Sequence, residues 1–451
     1  MNKLKNKVFN LARSKTLQNI SKMMTGTMLG QIISTIMVPI ASRLYGAELY
    51  GDLAVFTSAS SMCTSFLGFG LVSAIMVEET DEQAEQTYKL AVYGTNFGVV
   101  IIASILLLLQ GWIEVIHTVL PYTVSVCMVA FAVMTTNQIN MLYAWLNRKG
   151  RYNVLLFNPI ITPLVNNVLV IGLGVLGFKH IGLYAGLLVS QLVTLIHMFR
   201  NMDKMTHKFR LSDAKEVAVR NKDFILFQYP SSFVNGIVSN LPVQIISQFF
   251  GNTVVGYYSM SMKLLNIPSG LIGNSVARVY FKEVSDKYRN GESARKYTLK
   301  VSTTVMMIFL IPVVGIFLLG DWLIPLVLGA SWEPSILYIK IMAIWNLLSL
   351  PVNCTTGFTS VIHKQKSNMV LALVKLVTFP TFMVGLSVVF NNPIVTIITY
   401  VIIYSLINLV YYEMLIGEEA DLKWKYTLRN VVAFLICILV AIAMKGIGLL
   451  V

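Results

Sequence analysis

Charge is scarce in this chain, and acidic charge scarcest: Asp, Glu, Lys and Arg make up 12% of the 451 residues, with 21 acids against 35 bases. Soluble domains carry about twice that share of charge, so a fold wetted on every side is excluded. Cysteine is nearly missing too. Cys63, Cys127, Cys354 and Cys437 stand singly inside apolar runs, with no CxxC and no Cys/His spacing. That argues against a disulfide framework or a zinc site and leaves buried thiols. No GxxxxGK[ST] phosphate loop occurs, which argues against ATP hydrolysis by this chain, and no Ser/His/Asp or metal-spaced cluster stands out. We therefore expect no catalytic residue, no metal and no cofactor.

Apolar sequence is what the chain has in quantity: 56% of residues are hydrophobic and the mean hydropathy is +0.70. Mostly apolar runs of about 18 or more residues, the length that crosses a bilayer, lie near 17–41, 53–77, 88–111, 115–142, 154–177, 181–199, 224–249, 253–277, 298–320, 335–362, 369–390, 394–416 and 430–450, thirteen in all. The opening MNKLKNKVFNLARSK is basic and leads into the first run without a small-residue cleavage site, so that span is expected to stay in the mature protein. The longest linker, RNMDKMTHKFRLSDAKEVAVRNKD, divides the chain. We expect an N-terminal lobe of six spans at 1–199, a cytoplasmic basic linker at 200–223, a C-terminal lobe of six spans at 224–416, and an extra C-terminal span in 417–451.

A net charge of +14 would suggest nucleic acid in a soluble protein, but here the location of the charge decides. With the N-terminus in the cytoplasm, 29 of the 35 bases fall on or near the inner face. Arg43, Lys179 and Lys445 fall outside, and Lys263, Lys340 and Lys375 within spans. This is the positive-inside pattern, and it sends the C-terminus outside. The basic loops then lie against membrane lipid, and nucleic acid is not an expected partner. The outer loops are short, the longest being the fourteen residues DWLIPLVLGASWEP at 321–334.

One pattern recurs. RLYGAELYG at 43–51 is echoed by FFGNTVVG at 249–256, and a shift of 205 residues lays Gly46 and Gly51 on Gly251 and Gly256, and Gly68 on Gly273. Glycines at a turn let the backbone reverse and let two helices approach closely. Both motifs lie between an odd-numbered and an even-numbered span, so the halves share one orientation, as parallel repeats about an axis along the membrane normal do. NRKGRYN at 147–153 and HKQKSN at 363–368 correspond at a similar offset. The expected fold is an all-α polytopic membrane protein with two six-helix lobes related by a pseudo-two-fold axis along the membrane normal, plus one extra C-terminal helix.

With RLYGAELYGDLAVF after the first span, FFGNTVVGYYSMSMKLLNIPSG entering the eighth and NRKGRYN after the fourth, the first twelve spans resemble the polysaccharide (O-antigen, capsule, exopolysaccharide; Wzx-type) flippases of the multidrug/oligosaccharidyl-lipid/polysaccharide exporter superfamily. The thirteenth span departs from that family's even count. The resemblance implies flipping of undecaprenyl-pyrophosphate-linked oligosaccharide repeat units across the bacterial cytoplasmic membrane by alternating access, for surface polysaccharide biosynthesis. It implies no enzyme activity, membrane lipid and other polysaccharide assembly proteins as partners, and coupling to a Na+ or H+ gradient as an open matter. The alternatives are a multidrug or cation antiporter of the same superfamily, or a membrane polysaccharide polymerase or ligase, which would need a larger outer loop than this chain has.

Candidate binding residues follow from polarity inside the spans. Lys263 stands some ten residues into the eighth span, about 15 Å deep at 1.5 Å per residue, with no acid nearby in sequence. A charge retained there normally faces a cavity or a partner. Lys340 and Lys375 are five or six residues inside their spans, within reach of the interface by snorkelling. Arg43, at the outer end of the first span, carries a guanidinium that can fork onto a phosphate. Asn235, Asn240, Gln244 and Gln248 advance by five, four and four residues, which predicts one polar, sugar-facing stripe; Gln31 adds an amide in the first span. Pro230 and Pro242 bracket part of the stripe and allow it to bend. No acid falls at the midplane, and cations without acids suit an anionic pyrophosphate better than a cationic drug.

Overall fold

The computed structural model describes residues 15–68, 70–108, 121–205, 213–362, 365–416, 424–425 and 427–432. In hydrocarbon every backbone N–H and C=O needs a partner within the protein, which a helix supplies locally; among the described residues there is accordingly no β-strand. In chain order the helices are α1 (Lys15–Leu44), α2 (Ala47–Leu67), α3 (Leu71–Val77), α4 (Asp81–Leu108), α5 (Tyr122–Arg148), α6 (Tyr152–Val175), α7 (Lys179–Arg200), α8 (Asp213–Arg220), α9 (Tyr229–Arg289), α10 (Ala294–Leu328), α11 (Ser335–Thr355), α12 (Phe358–Val361), α13 (Gln365–Phe390) and α14 (Pro393–Ile416).

Nine of the described helices are long and apolar enough to cross a membrane, or ten if α2 and α3, bent by 54°, form one span. The 61-residue α9 is not among the nine. It breaks at Gly251, whose φ of 80° and ψ of 171° are not helical, so it consists of two segments that meet where the seventh and eighth spans are expected to meet. Before it, Phe224–Gln228 forms a π turn. Pro230 lacks an N–H and its ring crowds the carbonyl four residues back, and the wider turn accommodates both. Most of the expected thirteenth span lies outside the described residues. Helix ends overrun the apolar windows: α4 starts at Asp81 rather than 88 and α5 runs to Arg148 rather than 142. Polar residues continue a helix beyond the hydrocarbon, and hydropathy alone does not see them.

The chain divides into two compact units: Met1–Tyr45 with Val55–Gly236, and Gly46–Ala54 with Ile237–Val451. In the first, α1 lies along α6, α6 against α7, and α4 against α5. Tyr45 donates to the Val170 carbonyl at 2.7 Å, and Ile75, Ala84, Tyr88, Met141, Leu142 and Trp145 form a buried core where α3, α4 and α5 meet. In the second, α11 is the most enclosed of the candidate spans, with α10 and α14 packed against it. Large apolar side chains are exposed on both units, among them Phe97, Val100 and Leu108 on the first and Ile311, Val377 and Val389 on the second, as lipid-facing helices require.

Candidate functional site

The two glycine motifs meet within the second unit. A Cβ on Gly51 would lie 1.7 Å from the Asn252 carbonyl oxygen, and one on Gly256 would lie 1.9 Å from that of Ala47. Only glycine lets α2 and α9 cross so closely. The contact is reciprocal, since Ala47 and Asn252 are separated by the same 205 residues as Gly51 and Gly256, and each glycine faces the other motif, as in a contact across a local two-fold. Beside it Asp52 is completely buried and accepts from Asn252 Nδ2 at 3.3 Å, while Ser247 donates to Asn252 Oδ1 at 2.7 Å. The apolar runs at 17–41 and 53–77 leave Asp52 in the loop between two spans. The structure corrects this, because α2 begins at Ala47 and places Asp52 in its second turn.

Two turns beyond Gly256 on α9 stands Lys263. Its side chain is exposed, as are Asn266 and Gly270 farther along, whereas Val255, Tyr258, Leu265 and Ser269 are buried. The Lys263 ammonium lies 5.5 Å from the centroid of the Tyr50 ring, and no carboxylate pairs with it among the described residues. Tyr50 is itself buried and set edge-on to Trp332, with centroids 5.5 Å apart and planes at 73°. Trp332 has no exposed surface and meets Tyr257 in a second edge contact at 6.2 Å.

The other two lysines differ from the expectation. Lys340 on α11 donates to both carboxylate oxygens of Asp321 on α10, at 2.7 and 2.8 Å, and its side chain is 3% exposed. It is neither snorkelling nor open, and Asp321, expected at the outer rim, is its counter-charge. Lys375 on α13 donates to Asn408 Oδ1 of α14 at 2.7 Å and lies 4.4 Å from the Tyr404 centroid, again buried. Both corrections arise because the partners are 19 and 33 residues away, and helix rotation decides whether they meet. On α9, Asn235 and Gln248 are exposed and Asn240 and Gln244 half-buried, while Val234, Val238, Ile245 and Ile246 are buried. Asn235 also donates to the Ser231 carbonyl at 2.8 Å. Arg43 is exposed in the last turn of α1, and Gln31 is half-buried in the same helix.

NRKGRYN serves as a clamp within the first unit. Arg148 donates to the Glu78 carbonyl at 2.7 Å and to Asp81 at 3.0 Å, Lys149 reaches Asp81 at 2.5 Å, and Arg151 pairs with Asp203. Glu78 accepts from Thr87 at 2.6 Å and Asn221 at 2.7 Å, with the Arg220 guanidinium 3.1 Å away, so the linker helix α8 is fastened to the start of α4. Burial pushes the Glu78 carboxyl up, but the hydrogen bonds from Asn221 and Thr87 and the Arg220 charge outweigh it and hold the carboxyl below its ordinary value. Hydrogen bonds from Lys149 and Arg148 depress Asp81, and the one from Arg151 depresses Asp203. The positive-inside count takes these bases as a topology signal; their acidic partners lie as far as 68 and 142 residues away in sequence.

Nine or ten long apolar helices among the described residues give the architecture of a multi-pass membrane protein. Solved structures bear out the fold. A lipid II flippase MurJ in an inward closed conformation is 13% identical with a TM-score of 0.70, over 96% of this chain and 98% of that one. An inward-facing multidrug resistance MATE family transporter of the MOP superfamily is 15% identical with a TM-score of 0.65, over 91% and 99%. The chain belongs to the polysaccharide biosynthesis protein family, whose pattern matches residues 40–337. It is 23% identical over 301 residues to succinoglycan biosynthesis transport protein ExoT of Rhizobium meliloti (strain 1021); the match spans 65% of this chain and 59% of that protein. The family region contains both glycine motifs, Tyr50, Lys263 and Trp332, and stops short of Lys340 and Lys375.

Proposed function

We propose that this protein flips a polyprenyl-pyrophosphate-linked oligosaccharide, of the undecaprenyl class, across the bacterial cytoplasmic membrane by alternating access, supplying precursor for surface polysaccharide. The observation that carries the reading is Lys263, which stands on the accessible side of α9 and pairs with no carboxylate among the described residues. An amine in contact with hydrocarbon costs roughly 2.5–3.5 kcal/mol, so the face that bears it belongs to water or to an anion. A pyrophosphate complements that charge and a cationic drug is repelled by it. The amides Asn235, Asn240, Gln244 and Gln248, with Gln31 on α1, would hydrogen-bond sugar hydroxyls, and Arg43 would meet phosphate at the outer end of its helix. The division into lobes at 1–199 and 224–416, with the 200–223 linker and the basic loops on the cytoplasmic side, belongs to the same proposal. Family membership and the transport role in the name of ExoT support it.

The reading is tested with the full chain reconstituted in liposomes and a fluorescent undecaprenyl-pyrophosphate oligosaccharide whose leaflet is read by membrane-impermeant quencher. Loss of a charged hydrogen bond should slow flipping by Lys263→Ala at least about tenfold with an unchanged melting temperature. Wild-type flipping by a well-folded Lys263→Ala would remove Lys263 from the site.

A further inference from the structure

The aromatic ring beneath Lys263 comes from the other glycine motif. Tyr50 is the eighth residue of RLYGAELYG, next to Gly51, and it reaches α9 because Gly51 and Gly256 let the two backbones cross without an intervening Cβ. Tyr50 packs edge-on against the fully buried Trp332, and Trp332 against Tyr257, whose centroid lies 5.8 Å from that of Tyr338. The ring is therefore braced by a buried aromatic neighbour.

The three lysines show why a ring differs from a carboxylate as a partner. Asp321 takes the charge of Lys340 into a closed pair. Tyr50 attracts the Lys263 ammonium through its π face, but it accepts no strong hydrogen bond and carries no negative charge. The N–H donors of Lys263, three in an ammonium, stay available to a ligand. A ring partner limits where the amine sits while leaving its charge intact.

We propose that Tyr50, braced by Trp332 and brought into reach by the Gly51–Gly256 crossing, is a positioning residue that holds the Lys263 ammonium in place for an anionic headgroup of the pyrophosphate class. The inference rests on the reading of Lys263 as the anion-binding cation. It gives the twin glycine motifs a chemical purpose: they deliver the ring.

Binding of farnesyl pyrophosphate to the purified full chain in detergent tests this, with the melting temperature of each variant recorded. Tyr50→Leu is expected to weaken binding by about 2- to 30-fold, the span of a cation–π contact, and Tyr50→Phe to restore what Leu loses. Tyr50→Glu should match Lys263→Ala, because a carboxylate there recreates the closed pair of Lys340. In a Lys263→Ala background, Tyr50→Leu should cost nothing further. An equal loss from Tyr50→Leu with and without Lys263 would make Tyr50 a packing residue and overturn the inference while the Lys263 reading stands. Full binding by Tyr50→Glu would overturn it too, and full binding by Lys263→Ala would overturn the Lys263 reading and the inference together.

Discussion

Lys263, Lys340 and Lys375 each meet a different partner: a ring, a carboxylate, and an amide together with a ring. The partner decides what each charge can do. Lys340 and Asp321 hold α10 and α11 together as a pair with its lysine buried and its acid partly open. Removing one member of a buried pair costs most when the survivor stays buried. Asp321→Asn, which strands the Lys340 ammonium, is therefore expected to lower stability by roughly 3 kcal/mol. Lys340→Met should cost clearly less, because it leaves a carboxylate that water reaches. Thermal unfolding of the two purified variants compares them directly, and equal losses would contradict the asymmetry. That Lys263 has no acid close to it along the chain was legible in the sequence. The closed pairs were not, since a separation of 19 or 33 residues says nothing about rotation around two helices, and Asp321 and Asp52 both read as loop residues because they stand near helix ends.

At the scale of elements, the glycine crossing and the basic clamp are separate devices. Gly51→Ala and Gly256→Ala each force a methyl into a neighbouring backbone carbonyl, and overpacking of that kind costs about 1–3 kcal/mol. Gly46→Ala, with nothing within 4 Å of the added methyl, should leave the melting temperature near the wild-type value. If all three variants melted alike, the crossing would not be tight. The clamp at Glu78, Asp81 and Asp203 makes a pH prediction. All three carboxyls titrate below their ordinary values in the folded protein, so their support is complete above the unfolded carboxylate range, near pH 4, and is lost as pH falls through the lower folded values. Hydrogen exchange at residues 78–90, corrected for its intrinsic pH dependence, should stay protected from neutral pH to about 5 and lose protection below about 4. Protection lost already near pH 6 would point to a different latch. The break at Gly251 was readable from glycine position; helix ends were not, because polar turns extend past the hydrocarbon.

For the whole molecule, the sequence pattern and the fold agree on a helical, multi-pass membrane protein, and the family match places it in polysaccharide biosynthesis. The sequence holds a 205-residue echo of one glycine motif, and the structure adds that the two motifs touch at Gly51 and Gly256. Which sugar the protein carries has no such signature, because amides such as Asn240 and Gln244 hydrogen-bond any hydroxyl-rich chain. The reading as a flippase of lipid-linked oligosaccharide is tested most directly by depleting the protein in its own cell and extracting the lipid-linked sugars from the cytoplasmic membrane. The expected result is accumulation of a polyprenyl-pyrophosphate oligosaccharide in the inner leaflet together with loss of surface polysaccharide. Unchanged surface polysaccharide accompanied by a rise in drug sensitivity would contradict it.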